Sequence, residues 1–157
     1  MCGFVAIYNP QEIQKKYTLD LLSRMTRLIE HRGPDNQDFF INQNIMMSHR
    51  RLSILDLSKE ANQPMTDNEI TIVFNGEIYN YIEIKDQLER DHNIQFKTNS
   101  DTEVIIKSYK VWGESCVEKF NGMFAFVLWD SSRSEIYFAR DRLGAVSYTH
   151  LTLPTKA

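Results

Sequence analysis

The stretch Met123-Phe124-Ala125-Phe126-Val127-Leu128-Trp129 constrains the fold of this chain more than any other. A strand with one wet face alternates apolar and polar side chains. This one is apolar throughout, so both of its faces need cover. The polar residues 130–134 then turn the chain and 135–139 bring it back, the pattern of a β-hairpin. A hairpin of that kind predicts stacked sheets with helices outside. Further strands read at 3–8, 39–41, 45–55 and 70–74, the last stopping at Asn75-Gly76. Thr18 is placed to cap a helix reaching about residue 29, with Leu19, Leu22, Met25 and Leu28 or Ile29 on one face. Two more helices read at 81–90 and 102–112, the second opened by the capping-box pattern Ser100-Asp101-Thr102-Glu103. His31-Arg32-Gly33-Pro34-Asp35 is a loop, and a polar loop passes through Asn62-Gln63-Pro64.

No repeat, low-complexity tract or linker divides the chain, and its 157 residues suit one domain with a real core. The net charge of −3 comes with no Lys/Arg block, which argues against a nucleic-acid footprint. The apolar runs fall well short of the roughly 20 residues that span a bilayer. No basic flank precedes the run Gly3 to Tyr8, and Asn9-Pro10 ends it too early for a signal peptide. The expected location is therefore the cytoplasm, with neither membrane nor nucleic acid as partner.

Of the two cysteines, Cys116 lies in a stretch, 112–120, that reads as helix, and a buried small hydrophobe is its simplest role. Cys2 differs by position. Removal of Met1 leaves its α-amine beside its thiol, and that amine can take the thiol proton near neutral pH without a histidine. A merely packed thiol is the competing reading. Asn75-Gly76 reads either as a tight hairpin turn or as a pair of donors, one side-chain amide and one N–H, for a developing oxyanion. Arg51 reads as a salt-bridged surface side chain or as a fork for a carboxylate. Asp101 reads as a helix cap or as the partner of an ammonium group. The Cys/His spacings of zinc sites are absent, which leaves His31 and His49 without a metal role.

Taken in order, Met1-Cys2-Gly3, His31 to Asp35, Arg51-Leu52-Ser53-Ile54, Asn75-Gly76-Glu77-Ile78-Tyr79-Asn80, Ser100-Asp101-Thr102-Glu103, Gly122-Met123-Phe124-Ala125-Phe126 and Arg140-Asp141-Arg142-Leu143-Gly144 form a recognisable series. Residues 1–144 resemble the N-terminal domain of glutamine-hydrolysing asparagine synthetases, class II amidotransferases of the N-terminal-nucleophile hydrolase type. The resemblance implies an α+β fold, a four-layer αββα sandwich of antiparallel sheets. It implies Cys2 as nucleophile, with the Asn75 amide and Gly76 N–H as the oxyanion hole. By the same resemblance Arg51 holds the α-carboxylate of glutamine, Asp101 its α-ammonium, and Glu77 with Ile54 completes the pocket. No cofactor is implied for glutamine hydrolysis. ATP and Mg belong to a synthetase domain normally in the same chain, which is absent here, and a homodimer is possible for the full-length protein. Residues 145–157 depart from the family's usual continuation. They are expected to be an anomalous tail that leaves the sandwich C-terminally incomplete.

Overall fold

In the computed structural model, residues 2–11, 13 and 17–146 are described. Seven strands and three α-helices follow one another among them. They are β1 (Gly3–Tyr8), α1 (Leu19–Leu28), β2 (Asn36–Ile41), β3 (Ile45–Arg51), β4 (Met65–Asp67), β5 (Ile70–Ile78), α2 (Tyr81–His92), α3 (Asp101–Trp112), β6 (Gly122–Asp130) and β7 (Glu135–Arg140). One sheet has the order β1-β3-β2 and the other β4-β5-β6-β7, and every pairing is antiparallel.

Side-chain alternation turns these two sheets into four layers. On β3, Met46 packs with Leu22 of α1, and Ser48 meets Thr26 of α1 at 2.6 Å between hydroxyls. The intervening residues Ile45 and Met47 face the other way, onto Val73 and Trp129 of the second sheet. On that sheet Phe74, Phe126 and Leu128 point outward into a third cluster with Ile84 and Leu88 of α2 and Ile105 of α3. The order is α1, first sheet, second sheet, then α2 with α3. β6 therefore sits with Val127 and Trp129 in one core and Phe124, Phe126 and Leu128 in another, the double burial its composition requires. The αββα architecture is the expected one.

Local boundaries differ from the sequence reading in ways that matter for the site. β5 does not stop at Asn75-Gly76 but runs on to Ile78, paired with β6 throughout. Asn75-Gly76 is thus no hairpin turn. Gly76 lies opposite Phe124 at φ 147°, and a Cβ there would sit 2.6 Å from Phe124 Cα and closer still to the Met123 carbonyl oxygen. β3 ends at Arg51, not at 55, because the Arg51 side chain bonds the carbonyls of the segment that follows. β2 begins earlier, at Asn36, opposite Arg51, and the loop after Gln63-Pro64 holds the short strand β4.

Helix detail also departs. Leu22 and Thr26 are the buried residues of α1, whereas Leu19, Met25 and Leu28 are exposed. The inner stripe is narrower than the apolar pattern suggests, since it meets only the three-stranded sheet. Thr18 does cap α1, accepting from Leu21 N–H. Ser100 caps α3 by accepting from Thr102 N–H, but Glu103 does not return to the cap residue. Its carboxylate takes the N–H groups of Lys97 and Thr98 and the Thr98 hydroxyl, and so orders the turn before the helix. α3 ends at Trp112 with Gly113 at φ 61°, and 113–119 is a 3-10 segment where α-helix was expected. Cys116 within it is fully buried, as expected, and burial pushes its thiol up to about 12.

Residues 147–157 of the proposed tail and the Met1 whose removal was expected lie outside the described residues. Ala145 N–H bonds the Asp141 carboxylate, and Val146 is buried. Among the described residues no helix is long and apolar enough to cross a membrane.

Candidate active site

At one end of the gap between the sheets lies a cavity of about 100 Å³. Cys2, Arg51, Ile54, Asn75, Gly76, Glu77 and Asp101 all line it. Their convergence follows from the topology. Cys2 stands immediately before β1, and Arg51 is the last residue of β3, on the face that looks across to the second sheet. Asn75 and Glu77 share the inner face of β5 with Val73. Asp101 opens α3 on the far side of that sheet and reaches in past the end of β4.

The Cys2 thiol is half-buried. Sγ accepts from Leu52 N–H at 3.3 Å and lies 3.5 Å from the Leu52 carbonyl, to which the thiol donates. Burial pushes the thiol above its ordinary value, opposed by the Leu52 N–H and the Arg51 charge, while the Asp101 carboxylate adds to the rise. Arg32 Nε donates to the Cys2 carbonyl at 3.1 Å and fixes the backbone that presents it. The neighbouring His31 lies in a 3-10 turn outside the pocket lining, and His49 lies in the core.

The β5 edge supplies donors because β4 is short. β4 reaches only to Met65, opposite Ile72, so among the described residues β5 from Phe74 onward has β6 on one side and no strand on the other. Phe74 N–H goes to Gln63 Oε1 at 2.6 Å, and Ile78 N–H goes to Asp101 Oδ2 at 3.1 Å. By strand alternation the Gly76 N–H, midway between them, points to that same open side. The Asn75 side chain is buried on the inner face beside it.

Asp101 is only 4% exposed, and its carboxyl is pushed up to about 6, first by burial and further by the Glu77 charge, against the pull of the Ile78 and Thr102 N–H groups. Arg51 is equally buried, but its fork is engaged. Nη1 donates to Ser58 O at 2.9 Å and Asn62 Oδ1 at 2.6 Å, and Nη2 donates to the carbonyls of Leu55 and Asp56. The guanidinium thus pins the 55–62 segment against the pocket. Ile54, just before that segment, is 69% exposed.

Sequence reasoning missed Gln63 and Thr102, which also line the cavity and bond each other at 3.1 Å. The available signal was a polar side chain directly before Pro64, since proline is confined to the ends and edges of strands. Among the described residues no group of three or more His, Cys, Asp or Glu side chains is arranged to hold a metal ion.

A glutamine amidotransferase domain family model matches residues 1–153. The chain belongs to that family. This amidotransferase domain is 38% identical over 156 residues to an asparagine synthetase [glutamine-hydrolyzing] 1 of Bacillus subtilis, covering 98% of this chain and 24% of that protein. It is 40% identical to a putative asparagine synthetase [glutamine-hydrolyzing] 2 of Methanocaldococcus jannaschii, covering 92% of this chain and 30% of that protein. It is also 40% identical to the amidase chyE of Penicillium rubens, over 99% of this chain and 25% of that protein. The chain therefore spans about a quarter of the length of such relatives. Among solved structures, a glutamine phosphoribosylpyrophosphate amidotransferase of B. subtilis matches with a TM-score of 0.54 at 25% identity, over 66% of this chain and 24% of that one.

Proposed function

We propose that the domain hydrolyses glutamine to glutamate and ammonia through a thioester on Cys2, as the ammonia source of an ATP-dependent asparagine synthetase. The observation that carries this reading is the convergence, in one cavity, of the cysteine next to the N-terminus with two oxyanion donors and one partner for each charge of a free amino acid. After loss of Met1 the Cys2 amine takes the thiol proton, and Sγ attacks the side-chain amide carbon. The carbonyl electrons move to oxygen, held by the Asn75 amide and the Gly76 N–H. Collapse expels ammonia, protonated by the ammonium of Cys2, and leaves the thioester. Water, giving a proton to the same amine, attacks the thioester carbon and releases glutamate.

Asp101 meets the α-ammonium, and Arg51 meets the α-carboxylate, which competes with the loop carbonyls for the guanidinium. Glu77 and Ile54 close the pocket around the substrate. Hydrolysis needs no cofactor; ATP and Mg act in the synthetase segment, which consumes the ammonia. A second reading, delivery of ammonia to an acceptor other than aspartate, draws on the equal identity to the Penicillium amidase. The test is intact-mass measurement paired with ammonia release. Full activity in a chain that retains Met1 would sink the Cys2-amine mechanism.

A further inference from the structure

Phe74, the residue before the Asn75-Gly76 pair, has both of its main-chain polar groups, N–H and C=O, held by side chains. Its N–H donates to Gln63 Oε1 at 2.6 Å, and its carbonyl oxygen is 3.0 Å from His49 Nε2. A carbonyl only accepts, so His49 carries its proton on Nε2 and donates. Among the described residues Nδ1 has no hydrogen-bond partner, and burial lowers the imidazole to about 4. His49 is therefore neutral at any ordinary pH, and the bond is permanently oriented.

The two holders come from different layers. His49 belongs to β3, in the sheet that carries Cys2, and its bond to Phe74 crosses the gap between the sheets. Gln63 is the residue that would oppose Phe74 if β4 continued, because Met65 pairs with Ile72. Its side-chain amide replaces the missing main-chain partner, and its Nε2 goes on to Thr102 Oγ1 in α3, next to Asp101. Phe74 is thus the node where the nucleophile's sheet, the oxyanion strand and the helix bearing Asp101 are tied together. Both holders are buried, Gln63 at 5% exposure and His49 at 0%. Such a buried, fully directed arrangement sets position more firmly than it adds stability.

We propose that Gln63 and His49 are positioning residues that clamp the Phe74 N–H and carbonyl, one on each side of its Cα, and so aim the Asn75 amide and Gly76 N–H at the reacting oxygen. The assignment rests on the glutaminase reading above. A donor displaced by about 1 Å costs on the order of a hundredfold in rate, and this cost falls on the transition state, where charge develops on oxygen.

The experiment measures kcat and KM for glutamine in the chain and four variants. Gln63→Met keeps the side chain's length but removes both hydrogen bonds, and His49→Leu removes the inter-sheet donor. Each should lower kcat by about ten- to a hundredfold with KM changed less than about threefold. Gln63→Glu still accepts from Phe74 N–H and His49→Gln still donates to its carbonyl, so each should recover at least about tenfold of the lost kcat. Should His49→Leu fail to fold, Gln63→Met decides. A wild-type chain that hydrolyses glutamine beside a Gln63→Met variant of unchanged kcat and lowered melting temperature would overturn the clamp alone. A wild-type chain with a free Cys2 amine that releases no ammonia overturns the glutaminase reading, and the clamp with it.

Discussion

Asp101 shows how one buried side chain acquires a function from its surroundings. Burial and the neighbouring Glu77 raise its carboxyl to about 6. In the proposed site the substrate ammonium supplies a counter-charge and draws the proton off. Below about pH 6 the protonated carboxyl loses its attraction for the ammonium. We expect kcat/KM for glutamine to fall about tenfold per pH unit on that acid limb, mainly through KM. An acid limb centred near 4 instead would remove Asp101 from the substrate site. Asn75 and Arg51 separate by the same kinetics. Asn75→Ala should cut kcat by about a hundredfold, while Arg51→Lys should mainly raise KM, because a lysine offers neither the planar fork nor the four loop bonds. The reverse split would mean that these roles are exchanged. The identities of these residues were legible from the motifs. That Arg51 is already bonded to the 55–62 segment was not, since those carbonyls belong to backbone whose path only the folded loop defines.

At the scale of elements, α3 matters because it carries Asp101 on its first turn. Ser100 caps it, but the stronger anchor is Glu103, 3% exposed, whose carboxylate collects two N–H groups and one hydroxyl from Lys97 and Thr98. Charged acceptors of that kind are worth more than neutral ones, and their loss leaves buried donors unmet. Glu103→Ala should therefore destabilise the domain by about 3 kcal/mol in urea denaturation and also raise KM, as the start of α3 shifts. A loss below about 1 kcal/mol would show that water replaces the carboxylate without strain. The pattern Ser100 to Glu103 announced a helix start correctly. It suggested the wrong partner for Glu103, because a capping box and a carboxylate that orders the preceding turn have the same spacing in sequence. Likewise Asn75-Gly76 carries the signature of a hairpin, yet pairing with β6 keeps it in the strand. Gly76 is needed there for close approach, not for a turn.

For the whole molecule, two buried groups of the interior act on stability in opposite directions. His49 falls from 6.5 to about 4 in the folded state, so the unfolded chain binds the proton first and stability is lost as pH drops from about 6.5 to about 4. Asp101 rises from 3.8 to about 6, so the folded chain binds the proton first and stability is gained as pH drops from about 6 to about 4. Each effect amounts to about 3 kcal/mol, and over the shared window they nearly cancel. Asp101→Asn should expose the His49 loss. Denaturation at pH 7 and pH 4.5 should show a far larger drop for the variant than for the wild-type chain, and equal drops would refute the balance. The run 123–129, short and followed by a polar turn, by itself pointed to a strand between two covered faces, because successive strand side chains alternate faces and none of these suits water. The ordered motifs by themselves determined the family and seven of the residues that line the pocket, Cys2, Arg51, Ile54, Asn75, Gly76, Glu77 and Asp101. Only the tertiary structure decided that β4 stops short, that Gln63 and His49 hold the main-chain groups of Phe74, and that Cys2, Asn75 and Gly76 line one cavity. The physical reason is that an apolar pattern is written along the chain, one residue after another. A missing hydrogen-bond partner exists only where segments distant in sequence meet.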